Sequence, residues 1–105
     1  MSHYIFYVTV PNMDEGKKIA KALVKNKHAA CVNIVPNITS IYEWKGALEQ
    51  DSEHLLIIKT TQIKADSLIK SIKDLHSYEE PECIGVKVEK GSESYLKWIK
   101  SVVES

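Results

Sequence analysis

The chain has 105 residues, 44% of them apolar and 27% charged, which is the make-up of one globular domain around a single core. All 14 basic residues are lysine and 14 acids balance them, so the formal net charge is zero. That balance excludes the basic footprint of a nucleic-acid binder, and the lack of arginine removes the guanidinium fork that clamps phosphate.

No apolar run approaches the roughly 18 residues of a membrane span. Met1-Ser2-His3 leads into a strand-like segment without signal-peptide architecture. A cytoplasmic protein with reduced thiols at Cys31 and Cys83, and with no membrane partner, is expected.

Residues His3 to Val10 are rich in β-formers, with apolar side chains on both parities, so a central strand covered on both faces is predicted. Pro11-Asn12 ends it. Asn12, with Glu15 three positions on, predicts a helix N-terminus; the helix runs to about Asn26, with Ile19, Ala20, Leu23 and Val24 as its inner stripe. A second strand starts near Ala30. Pro36 lacks an amide donor and marks an edge position, a bulge or a bend, and a parity shift near Ile41 also suggests a bulge. The strand resumes from Ile38 to Trp44, and Lys45-Gly46-Ala47 reads as a hairpin turn. The returning strand carries Glu49, Asp51 and Glu53 on one face, then the apolar run Leu55 to Ile58; a polar tip on a buried root is expected.

Thr61 is positioned to cap a helix over about 62–75, with Leu68, Ile69, Ile72 and Leu75 inward. His76 to Pro81 reads as a loop, and Glu82 to Glu89 as a fourth strand alternating Ile84, Val86 and Val88. Gly91-Ser92 caps a last helix with the stripe Tyr95, Ile99 and Val102, flanked by Leu96, Trp98 and Val103. The order βαββαβ plus a terminal helix predicts an α+β, ferredoxin-like sandwich with an extended hairpin and its helices on one sheet face. The other face would then expose apolar side chains, which calls for an oligomer.

Ala29-Ala30-Cys31-Val32-Asn33-Ile34-Val35-Pro36, taken with Ile41-Tyr42-Glu43-Trp44-Lys45-Gly46, resembles the signature of the CutA family, named for divalent-cation tolerance. His76-Ser77-Tyr78-Glu79-Glu80-Pro81 lies where that family carries a Tyr-x-x-Pro element preceded by histidine. The resemblance implies a homotrimer similar in outline to PII signalling proteins, a divalent metal ion, copper above all, as ligand, and no obligatory cofactor.

Three side chains are candidate metal ligands. His76 offers an imidazole for Cu(II) or Zn(II), Cys31 a soft thiolate, and Glu79, three positions beyond His76 in the same loop, a carboxylate. The plain alternatives are a surface histidine at a helix C-terminus and a small apolar cysteine. Tyr78 lines a cleft or packs over the helix end. Glu49, Asp51 and Glu53 stand about 7 Å apart along one strand face, too far to share one ion, and read as a solvated face with lysine partners. Tyr42 and Trp44 read as interface anchors. His3, His28, His54 and Cys83 show no tight ligand spacing.

No arginine cradle, glycine-rich phosphate loop or nucleophile with a neighbouring base is present, so a non-enzyme is expected. The expected function is metal binding and tolerance. The alternative is a PII-like adaptor that takes a small effector or an unknown protein partner in clefts lined by Lys59, Tyr78 and the hairpin.

Overall fold

A computed structural model describes residues 2–105. Four strands form one antiparallel sheet in the order β2-β3-β1-β4. They are β1 (His3–Val10), β2 (Cys31–Trp44), β3 (Ala47–Thr61) and β4 (Ile84–Val88), with helices α1 (Met13–Lys25), α2 (Gln62–Leu75) and α3 (Glu93–Val103). This is the expected ferredoxin-like arrangement.

The side-chain alternation of β1 builds the core. Phe6, Val8 and Val10 face α1 and α2, where they meet Ile19, Leu23, Leu68 and Ile72; Leu56 and Ile58 of β3 complete the layer. Asn12 caps α1 by accepting from the Glu15 amide, whereas the Thr61 hydroxyl, at the corresponding place before α2, makes no capping bond. Gly85 lies opposite Phe6, and a Cβ at Gly85 would come within 2.6 Å of the phenyl ring.

β2 is an edge strand, as its proline requires. The register slips between Val35 and Ile38, so the bulge is at Pro36-Asn37 and not near Ile41. Asn37 takes a φ of 60° and its amide donates to His54 Nδ1, which closes the bulge. Lys45 and Gly46, with φ of 52° and 81°, make the two-residue turn whose twist suits a hairpin. The hairpin stretches the molecule to 44 Å. Its tip is less polar than expected: Ile41, Tyr42, Trp44 and Leu48 are exposed.

The helices are not all on one face. Residues His3, Ile5 and Tyr7 point away from the α1–α2 layer, as do their cross-strand partners Lys59 and Ile57. Yet the His3 ring meets the Leu96 carbonyl of α3 at 2.8 Å. Ile99 and Val103 of α3 pack on Ala30 at the start of β2. So α3 closes one end of the second face, with Ile99 and Val103 buried and Leu96 and Val102 packed beside them; of the predicted stripe Tyr95 is the member that is exposed. The rest of that face is open, and Ile84 and Val86 are 58% and 53% exposed beside half-buried Ile5, Tyr7 and Ile57.

Candidate functional site

The open face carries an acidic cleft where the hairpin meets the loop after α2. It encloses about 690 Å³ and is lined by Asp51 and Glu53 of β3, Tyr42 and Trp44 of β2, and Tyr78, Glu79, Glu80 and Glu82 of the loop. Thr9, Ser40, Ile41 and Ser77 complete its wall, and no lysine lines it.

Local geometry brings these groups together. Glu53 shares the parity of Leu55 and Ile57, so it projects from the open face opposite Ile38. It is only 5% exposed, and Tyr78 donates a hydrogen bond to its Oε2 at 2.7 Å. Tyr42, opposite Glu49, donates diagonally to Asp51 Oδ2. That hydrogen bond pushes the Tyr42 hydroxyl up to about 12. Burial, and then the bond to Glu53, raise Tyr78 still further. Both phenols therefore stay protonated and donate. Burial and the neighbouring Glu53 charge also raise Glu82 above the usual carboxylate range. Burial disfavours the charged carboxylate, and the like charge of Glu53 adds to it in the same direction.

His76 anchors the loop. Its side chain is buried, and the Tyr78 amide donates to Nδ1 at 3.1 Å. An amide N–H only donates, so Nδ1 accepts, and Nε2 carries the proton that goes to the Thr9 carbonyl at 2.7 Å. Glu15 Oε2 is 3.4 Å from Nδ1, but that nitrogen has no proton to give it. Glu15 instead accepts from the amide and hydroxyl of Ser77. Burial opposes ionisation of Glu15; the two Ser77 bonds, helped by the nearby Lys18 ammonium, outweigh it and hold the carboxyl below its usual range.

The three predicted ligands do not converge. With both ring nitrogens engaged, His76 has no lone pair for a metal. Glu79 lines the cleft. Cys31 lies at the other end of the sheet, level with Lys59 and Ile5, whereas His76 meets Thr9. The Cys31 sulfur has the Lys59 ammonium at 3.9 Å and stands beside Asn33. Among the described residues no group of three or more His, Cys, Asp or Glu side chains is arranged to hold a metal ion. The cleft's donors are oxygens, a set that suits divalent cations keeping part of their water shell.

The sequence predicts a solvated face with lysine partners for the strand acids. The ion pairs among the described residues include none to Asp51 or Glu53. The available signal was the parity of Glu53, which continues the face of the apolar run that follows it. Glu82 and Tyr42 carried no comparable signal.

The family model for the CutA1 divalent ion tolerance protein matches residues 4–102. "Protein CutA, chloroplastic" of Arabidopsis thaliana is 50% identical over 97 residues, 92% of this chain and 53% of its own length. The chain likewise spans 55% of the human protein CutA. The divalent-cation tolerance protein CutA of Thermus thermophilus is 43% identical and is covered over 93% of its length. A solved structure of the Thermus protein superposes with a TM-score of 0.93, covering 95% of this chain and 97% of that one. The crystal structure of CutA1 from Oryza sativa gives a TM-score of 0.94 at 43% identity, covering 97% and 94% of the two chains.

Proposed function

The chain belongs to the CutA1 divalent ion tolerance family, and from that premise we propose that it is a homotrimeric, non-catalytic protein of the cytoplasm that binds divalent cations, copper foremost, in the acidic cleft. The observation that carries this reading is the cleft lining: Asp51, Glu53, Glu79, Glu80 and Glu82, with no cationic side chain among them. A concave surface with one sign of charge concentrates ions of the other sign. Copper leads because a given oxygen or nitrogen site binds Cu(II) more tightly than other first-row divalent ions. Of the three predicted ligands, Glu79 lines this cleft. His76 acts through the loop it fixes, and Cys31 lies outside the site.

The open strip of Ile5, Tyr7, Ile57, Ile84 and Val86 supports an assembly that closes sheet against sheet. Three as the number of copies comes from the family resemblance. The two free thiols, Cys31 and Cys83, accord with a reducing compartment.

The test is calorimetric titration of Cu(II), with a weak competing chelator present, on wild type and on the double variant Glu53→Gln/Glu82→Gln. Glutamine at 53 still accepts from Tyr78. Saturable binding that weakens at least about tenfold in the variant supports the reading; equal affinity in the two overturns it. Sedimentation should show a species of three 11.9 kDa chains that Val86→Asp breaks into monomers. A monomeric wild type would remove the trimer from the proposal.

A further inference from the structure

His76 is a titratable group held wholly inside one chain. Its side chain has no exposure, so no neighbouring copy touches it. Nδ1 stands between two groups of opposite demand. The Tyr78 amide, 3.1 Å away, takes a lone pair from it; the Glu15 Oε2, 3.4 Å away, could only take a proton from it. The neutral ring serves the amide, because its one proton is on Nε2 and goes to the Thr9 carbonyl at 2.7 Å. A second proton can enter only at Nδ1. The ring then has two donors and no acceptor, and two N–H groups face each other across the 3.1 Å to Tyr78. A carboxylate oxygen lies almost as near.

The groups around the ring favour that exchange. From α1 comes Glu15, whose other charged neighbour is Lys18. From β1 comes the Thr9 carbonyl and no charge. On α2, Asp74 pairs with Lys70, and Lys73 acts on Cys83. From the loop comes Tyr78, its ring 4.6 Å from the imidazole and its hydroxyl on Glu53 of β3. Among the described residues, Glu15 is therefore the one charged side chain at ion-pair distance from His76. A buried imidazolium needs a counter-charge, and Glu15 is in place to supply it. The same Glu15 oxygen also ties the loop, accepting from the amide and hydroxyl of Ser77 at 3.0 Å each.

We infer that His76 and Glu15 form a proton-operated latch on the loop that walls the cleft. With the ring neutral, the Tyr78 amide is held by Nδ1 and the Tyr78 hydroxyl lies on Glu53. When Nδ1 takes a proton, it turns from the Tyr78 amide to Glu15 and makes a charged hydrogen bond there. Tyr78 loses its acceptor, and Ser77 competes for its own with a stronger donor. The backbone at 77–78 loses its ties, the Tyr78 hydroxyl leaves Glu53, and the buried end of the cleft opens. The latch needs only the geometry of one chain. Its effect on cation uptake rests on reading the cleft as the cation site.

Nitrogen NMR of the whole protein, followed from about pH 8 to about pH 5, tests it, because that is the range in which imidazoles change charge. The His76 Nδ1 signal should move from the unprotonated to the protonated position, and the Ser77 and Tyr78 amide signals should move with the same midpoint. In Glu15→Gln the proton affinity of the ring should fall about tenfold, since the counter-charge is gone while the glutamine oxygen still accepts from Ser77. Circular dichroism checks that the variant is folded; if it is not, the shared midpoint in wild type carries the test. A ring that stays neutral down to the lower pH in the folded protein overturns the inference. So do amides that do not follow the ring, or a proton affinity unchanged in Glu15→Gln. Cu(II) titrations on both sides of the midpoint read the cleft. Binding that weakens on acidification more in wild type than in Glu15→Gln ties the latch to the cleft, and equal weakening in the two overturns that tie. No Cu(II) binding at either pH removes the cation reading and leaves the latch standing on its amide signals.

Discussion

Replacing His76 with alanine should destabilise the fold before it affects any ligand. The imidazole is fully buried and makes two bonds to backbone, donating to the Thr9 carbonyl at 2.7 Å and accepting from the Tyr78 amide at 3.1 Å. Alanine leaves both backbone groups without their partner, at about 1–3 kcal/mol each, and opens a cavity where the ring packed against Tyr78. Water entering the cavity recovers part of this, so a net loss of about 3–5 kcal/mol is expected. Against a total stability of about 5–15 kcal/mol for a domain of this size, that is a large share. Urea unfolding of both proteins at one fixed concentration measures it, because an oligomer's midpoint moves with concentration. The variant should also lose cation binding, since Tyr78, Glu79, Glu80 and Glu82 all depend on the loop that His76 pins. The decisive outcome is the opposite pattern. If His76→Ala unfolds within about 1 kcal/mol of wild type and yet fails to bind Cu(II), the ring is a ligand after all and the hydrogen-bond argument is refuted.

Three further outcomes follow from the same geometry. Gly85→Ala places a methyl 2.6 Å from the buried Phe6 ring and should cost about 1–3 kcal/mol in urea unfolding, with part of the loss recovered in the double variant Phe6→Leu/Gly85→Ala; no recovery would mean the clash is not with that ring. Cys83 is pushed up to about 11, by burial first and then by the Glu82 charge, so iodoacetamide at pH 8 should leave it unmodified by mass spectrometry in the folded protein and alkylate it in urea; rapid alkylation of the folded form refutes this. Glu15 and Glu82 should give opposite pH dependences. Glu15 is held below the ordinary glutamate value of 4.5, so the native state binds its proton less tightly than the unfolded chain; its stabilisation is present above 4.5 and fades as pH falls through the lowered value. Glu82 is raised above 4.5, so its contribution is full below 4.5 and is lost as pH rises through the raised value. Unfolding profiles of Glu15→Gln and Glu82→Gln against pH should therefore diverge from wild type on opposite sides, and parallel profiles would contradict both assignments.

Where a segment's structure is decided by its own residues, the sequence was enough. Asn12 with Glu15, the Lys45-Gly46 turn and the apolar spacing of Gln62–Leu75 each act within a few positions, and each element lies where it was expected. Pro36 narrows its strand to an edge position, a bulge or a bend because a missing amide is a local fact, and the structure takes the first two. Position α3 against the second sheet face needs more, because Glu93–Val103 can pack on either side of β4, and only the pocket at Ala30 and the His3 ring select one. The spacing of its apolar residues over one turn left that choice, and with it the exposure of Tyr95, ambiguous.

The site was the least legible part, for a physical reason. A histidine at a helix end has the same appearance in sequence whether its nitrogens meet a metal or a carbonyl; Thr9, 67 positions away, makes the difference. The strand acids present the converse case. Alternating Glu49, Asp51 and Glu53 look like a solvated strand face, but the loop folded back by His76 lays Tyr78 over Glu53 and leaves it almost without exposure. Chain propensity does not favour burying an acid there, and packing alone gains nothing from it. A side chain kept where it costs stability is evidence of a demand other than folding. Under the proposed function that demand is for negative charge at the closed end of a cleft whose other walls are acids and aromatic rings, and Glu53→Gln is the substitution that reads it.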